Sequence, residues 1–346
     1  MERSEPSLRR TSRQRFPSCP FYVGVLAVWL LILLSVGNLS AQNPAAAVII
    51  NGLGGMPEYE ENFVAWSDKL EALFKERLSD NVYRFDGRKQ TAAEIIESLK
   101  AIPASISEEG EVWIFLVGHG NHDGERYKLH IRGPDITDQD LAGLLAALGE
   151  RRIFLVAGSS ASGALLDVLS GENRVVVTAT RNARERQPPL FLSFFLEAAE
   201  SPEADTNKNG RVSLLEAFVF ARDRVAEWFT EKGRIQTEHP VLNDGNKFSL
   251  GADERGDDDP LPEPDLQTGS GLLAAAAYLA APPEQAYRSL EARELARQRT
   301  AVEREIEDLK FRKAEIPSED YYKQLEQLLI KLAQLNSRIE ELESSK

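Results

Sequence analysis

The run Val112–Val117 (VWIFLV) holds six apolar residues in succession, with no polar alternation. A strand of this kind must be covered on both faces, as happens in parallel sheets flanked by helices. Ala47–Asn51 (AVIIN), Ile153–Ala157 and Arg174–Thr178 (RVVVT) read the same way, and Val82–Phe85 is a shorter strand candidate. Amphipathic segments lie between them. Asn62–Leu78 puts Phe63, Trp66, Leu70, Leu73, Phe74 and Leu78 at helical spacing. Thr91–Ala101 opens on Thr91 with Glu94 three residues on, the signature of a capping box. Further helices are expected over Thr137–Leu148, Gly163–Leu169, Leu190–Ala199 and Leu214–Thr230, with Lys128–Ile131 as an edge strand. The expectation is an α/β fold with a mostly parallel central sheet. In such sheets chemistry gathers in loops beyond the carboxyl ends of the strands.

Two polar constellations fall at such ends. Gly118-His119-Gly120 follows VWIFLV, and Gly158-Ser159-Ser160-Ala161-Ser162-Gly163 follows IFLVA. Each is weak alone: turn histidines are common, and small residues suit any strand-to-helix turn. Their order and their separation of about 40 residues make the pair more specific. Together, FLVGHG (Phe115–Gly120) and SSASG (Ser159–Gly163) resemble the legumain/caspase-like cysteine peptidases, specifically the bacterial legumain-type members. In that family a His-Gly turn follows one central strand, and a Cys-x-Ser-Gly turn carrying the nucleophile follows the next. The resemblance covers roughly residues 47 to 250. It implies a caspase-like three-layer sandwich, with His119 at the catalytic histidine position and Ser160 at the cysteine position.

That serine is the chemical departure. A free thiol has a pKa of about 8.5 and ionises readily beside histidine. A hydroxyl needs a placed base, usually oriented by a third group. Three functions are therefore carried forward. The first is a peptidase homologue impaired in turnover that still binds peptide or protein. The second is a serine-dependent peptidase or transpeptidase acting through Ser160 and His119, with Asp123 as the nearest orienting acid. The third is an assembly module acting through the C-terminal helices. His122 and His130 read as surface residues near the same loop. His239 lies in EHPVLND, which resembles a late loop of the bacterial members.

The only cysteine is Cys19, so no intrachain disulfide and no cysteine-based zinc site can form. It precedes the uncharged run Phe21–Gly37, which follows five arginines and leads to Leu39-Ser40-Ala41. Basic region, apolar region and small-residue site together make residues 1–41 an export signal, or an anchor if left uncleaved. The bulk of the chain would then be periplasmic or secreted. Its formal charge is −14, and five Arg against two Glu in residues 1–41 leave the remainder near −17. Nucleic acid is a poor partner for such a surface. Gly52-Leu53-Gly54-Gly55 invites a dinucleotide reading, but Pro57 stands where the third glycine of the fingerprint belongs.

Asp205-Thr-Asn207-Lys-Asn209-Gly210-Arg211-Val-Ser213-Leu-Leu-Glu216 matches the twelve-residue calcium loop of the EF-hand. Side-chain oxygens of Asp205, Asn207, Asn209, Ser213 and Glu216 join the Arg211 carbonyl, and Gly210 supplies the sharp turn. Among the side-chain ligands only Asp205 and Glu216 carry formal charge. That predicts one weak calcium site, suited to calcium-rich surroundings, with no second loop to pair with; the alternative is a metal-free polar turn. The linker 251–271 is acidic and rich in Pro and Gly. The tail 272–346 begins with an apolar helix over Leu272–Ala281. Heptad spacing from Leu295 to Ile316 and again from Tyr321 to Leu342, broken at Pro317-Ser318, predicts two further helices. These form either a self-packed hairpin or part of an intermolecular coil, so residues 284–346 are the expected surface for self-association or a protein partner.

Overall fold

The structure, a computed structural model, describes residues 43–78, 81–207, 210–245, 271–280, 287, 289–311, 313 and 316–344. The expected export segment, almost all of the acidic linker and the calcium-loop residue Asn209 lie outside the described residues. In chain order the elements are β1 (Asn43–Asn51), α1 (Pro57–Leu78), β2 (Val82–Asp86), α2 (Ala92–Leu99), β3 (Ile106–Val117), β4 (Gly120–His122) and β5 (Tyr127–Leu129). Then follow β6 (Ile136–Thr137), α3 (Asp138–Ala147), β7 (Arg152–Ala157), α4 (Leu166–Leu169), β8 (Arg174–Thr178) and α5 (Phe191–Ala198). The last are α6 (Leu214–Glu231), β9 (Val241–Asp244), α7 (Leu272–Ala276), α8 (Leu290–Phe311) and α9 (Ser318–Ser344).

The main sheet runs β2-β1-β3-β7-β8-β9. Every neighbouring pair is parallel except β8 and β9. The expected α/β architecture is therefore the one observed, a mostly parallel sheet between helical layers. The unbroken apolar run in β3 has its expected consequence. Trp113, Phe115 and Val117 bury against α1, α5 and α6 through Phe74, Phe195 and Phe218. Val112, Ile114 and Leu116 bury on the opposite face with Ile95, Leu99, Leu141 and Leu145 from α2 and α3. Successive side chains of a strand point to opposite faces, so both faces of this one are dry.

The helix starts follow local chemistry. Thr91, Thr137 and Ser213 each cap a helix and form a full capping box with Glu94, Asp140 and Glu216. α1 begins at Pro57, five residues before its apolar periodicity; proline is pre-organised for a first helical turn, and Glu58 and Glu60 complement the helix dipole there.

Four readings are corrected. The edge strand falls at Tyr127–Leu129 and belongs to a separate antiparallel sheet, β4-β5-β6. EHPVLND holds a strand, β9, whose four residues are all buried; the polar pair Asn243 and Asp244 hides it from a hydrophobicity reading. Gly163–Leu169 divides into a 3-10 turn, Ser162–Leu165, and the single-turn α4. α7 stops at Ala276, because the chain there turns extended to pair with another segment.

In the tail, Val302 and Ile306 of α8 pack on Leu335 of α9, with Leu325, Leu328 and Leu332 partly buried alongside. Arg338 meets Glu291 at 3.3 Å, so the two helices run antiparallel as a self-packed hairpin. No described helix is long and apolar enough to cross a membrane.

Candidate active site

Strand register delivers the two sequence-predicted residues to one place. β3 and β7 are adjacent and parallel, with Leu116 opposite Ala157. His119 lies three residues beyond Leu116, and Ser160 three beyond Ala157. Their turns touch. A Cβ on Gly120 would fall 2.7 Å from the Ser160 carbonyl oxygen and 2.7 Å from the Tyr127 hydroxyl, so only glycine permits this approach. Below the contact, the buried hydroxyls of Tyr127 and Ser159 hydrogen-bond at 2.6 Å. Burial pushes the Tyr127 phenol well above its ordinary pKa.

The loop after β1 completes the surroundings of His119. The chain reverses the order of strands between β1 and β3, which makes the crevice at their carboxyl ends the natural binding position in an open α/β sheet. The His119 ring is edge-on to Tyr59 at 4.9 Å and to Phe63 at 5.0 Å, both from α1. Burial lowers its pKa, and the nearby Gly54 backbone opposes that shift. Gly54 in turn donates its N–H to Glu60 at 2.7 Å. Asp123 is not the orienting group. It is exposed, pairs with Lys128 at 2.6 Å, and accepts from the Glu125 and Arg126 backbone; that hydrogen bonding holds its carboxyl well below the usual range. His122 and His130 behave as surface residues. His122 accepts from Gly124, and His130 lies 3.3 Å from Asp135.

The serine turn is a constrained elbow. Ser160 is 3% exposed, and Ala161 takes a left-handed φ of 55°, a conformation that non-glycine residues adopt only where the surroundings enforce it. The loop after β8 supplies that enforcement. Thr180 accepts from the Gly163 N–H at 3.0 Å and lies 3.3 Å from the Ser162 hydroxyl. The Ala161 N–H is committed to the Glu185 carbonyl at 2.8 Å. The Glu185 carboxylate accepts from the Arg181 N–H and from the His239 backbone and ring. Next to it Glu238, 3% exposed, accepts from the Leu190 and Phe191 N–H groups at the start of α5. Burial pushes the Glu238 carboxyl up to about 7 against those donors.

Sequence reasoning therefore located the histidine and the serine but missed Gly54, Tyr59, Tyr127, Thr180, Glu185 and Glu238. Gly54 was legible only as a glycine-rich turn, and the others carried no signal in isolation.

The described residues of the loop at 205–216 form a tight polar turn. Gly210 has a φ of 81° and donates to Asp205 at 2.8 Å. Glu216 turns its carboxylate inward, accepting from Ser213 through one oxygen and from Thr206 and Asn207 through the other. Among the described residues no group of three or more His, Cys, Asp or Glu side chains could hold a metal. A loop with two carboxylates and otherwise neutral oxygens does not form such a group. The oxygen-only donor set around Glu216 fits a hard cation.

No family model matches the chain, and no curated protein does. Among solved structures it is similar to a protein from Geobacter sulfurreducens, at 11% identity and a TM-score of 0.41, over 58% of this chain and 93% of that one. It is similar to the Drosophila initiator caspase Dronc at 14% identity and a TM-score of 0.41, over 59% and 80%. For caspase-1 from Spodoptera frugiperda the identity is 14% and the TM-score 0.39, over 59% and 87%.

Proposed function

We propose that this chain is an exported legumain/caspase-like peptidase homologue, impaired in turnover, that binds peptide or protein at the His119–Ser160 turns and one calcium ion in the loop 205–216. One observation carries the reading. His119 and Ser160 stand at equal offsets beyond two paired parallel strands, with their turns in contact, and the nucleophile position holds oxygen. A thiolate at Ser160 would need an imidazolium beside it. Burial of His119 works against that ion pair, and serine cannot form it from its own side. The two turns remain as a shaped surface at the crevice of the sheet. Export rests on residues 1–41 alone.

A second reading has its own support. An imidazole whose pKa burial lowers, edge-on to Tyr59 and Phe63, is the kind of free base that a serine nucleophile requires. An active-site fluorophosphonate distinguishes the two. Under the impaired reading, wild type labels no faster than Ser160→Ala. Labelling that disappears in both Ser160→Ala and His119→Ala establishes the serine hydrolase instead.

Asp205, Asn207, the Arg211 carbonyl, Ser213 and Glu216, with Asn209, would hold the calcium. The ion would neutralise the two carboxylates and fix the loop. Calorimetry on wild type and Glu216→Gln tests this, since the variant loses the bidentate ligand and with it the heat of binding.

A further inference from the structure

The calcium loop has a partner inside the chain. Val212 and Ser213 run extended, and Ser213 forms an antiparallel bridge with Tyr278. The Leu214 N–H donates to the Ala277 carbonyl at 2.6 Å, and the Leu279 N–H to the Val212 carbonyl at 3.0 Å. The segment after α7 is the loop's second strand. Asp244 at the end of β9 accepts from the Ala274 N–H within α7, and Arg77 of α1 donates to the Tyr278 carbonyl. The segment is thus pinned on three sides.

Arg211 joins this pairing to the helical hairpin. Its guanidinium is buried, lies 3.6 Å from the centre of the Tyr278 ring and pairs with Glu303 of α8. A buried guanidinium is costly unless paired, so Tyr278 and Glu303 help hold Arg211 in its buried place. The loop pattern gives the Arg211 carbonyl to the metal and asks nothing of its side chain, which takes this second role. One residue therefore faces the ion with its backbone and the hairpin with its side chain.

We propose that calcium binding and docking of the C-terminal hairpin are thermodynamically linked through Arg211, so that the ion clamps residues 271–280 and 290–311 onto the sheet domain. This rests on the calcium reading above. Linkage is reciprocal: if the ion tightens the docking, loosening the docking weakens the ion by the same factor. The contacts can be loosened without touching a ligand, because neither Tyr278 nor Glu303 supplies an oxygen to the loop.

The test uses the full chain and calcium chloride alone. Calorimetry gives the affinity of wild type, Glu303→Gln and Tyr278→Ala, with circular dichroism as the folding control. Hydrogen exchange is followed over 271–280 and 290–311 with and without the ion. The expected result is an affinity about fivefold or more weaker in both variants. In wild type, calcium slows exchange in both segments; in Glu216→Gln it does not. If Tyr278→Ala fails to fold, Glu303→Gln carries the affinity arm. Wild type that binds calcium with unchanged exchange, and Glu303→Gln that binds equally well, overturn the linkage and leave the calcium site standing. Wild type that binds no calcium at millimolar concentration removes the site and the linkage together.

Discussion

The His119–Ser160 turns and the calcium loop are both built from small polar residues on tight backbone, yet they are held in place differently. The first region is over-determined by the sheet. Strand register fixes the offset of its two residues, and the neighbouring turns press against them at Gly120 and Gly163. Its glycines are there for space: a Cβ on Gly163 would come within 2.3 Å of the Arg181 and Asn182 backbone. The second region stands at the edge of the core and borrows its fixed points from distant residues, Tyr278 and Glu303, the latter 92 positions from Arg211. Its glycine is there for conformation. Nothing lies within 4 Å of a Cβ on Gly210, but its φ is 81°. A rigid frame suits a site that must hold two side chains at one distance, whereas a clip closed by a distant segment suits a site whose occupancy is to be felt elsewhere.

That difference can be broken by one substitution made twice. Gly163→Ala should cost about 3 kcal/mol, because two backbone segments must separate. Gly210→Ala should cost about 1 kcal/mol, the conformational penalty alone. Urea unfolding of both variants measures this, and equal losses would show that the two regions are constrained alike.

The pH dependence sharpens the same contrast through the buried Glu238 carboxylate beside the serine elbow, whose pKa burial raises. Glu238 titrates near 4.5 unfolded and about 7 folded. Between those values the folded state keeps a proton that the unfolded state has lost. Its contribution is therefore fully present below pH 4.5 and is lost as pH rises to about 7, at most about 3 kcal/mol. Glu238→Gln keeps an acceptor and cannot ionise. The stability difference between variant and wild type should move in the variant's favour from pH 5 to pH 8. A constant difference would mean that the carboxylate is already charged at pH 5.

A further effect concerns the floor of the elbow. Tyr127→Phe leaves the Ser159 hydroxyl, which is fully buried, without its 2.6 Å partner. The loss should be about 1–2 kcal/mol by urea unfolding, with the calcium affinity unmoved. A change in that affinity would show that the two regions are coupled.

Much of the frame was legible because it depends on local rules. Continuous apolar runs marked β1, β3, β7 and β8, and Thr91, Thr137 and Ser213 marked helix starts through capping boxes. β9 was not legible, since Asn243 and Asp244 occupy strand positions that only the tertiary surroundings make tolerable. In the site, His119 and Ser160 were marked by the glycines beside them. Glu185 and Glu238 were not, because nothing in a sequence distinguishes a buried carboxylate from the many exposed ones in an acidic chain.

By itself, then, the sequence determined the layered α/β order, the helix caps, the two strand-end turns and the oxygen pattern of the loop at 205–216. Each follows from the periodicity or spacing of neighbouring residues. Tertiary structure alone decided that Tyr59 and Phe63 pack against the His119 ring, that Glu185 ties down the Ala161 backbone, and that Tyr278 pairs with the loop at 205–216. Those are pairings of groups far apart in the chain, and such groups find their partners only when packing brings the backbone together.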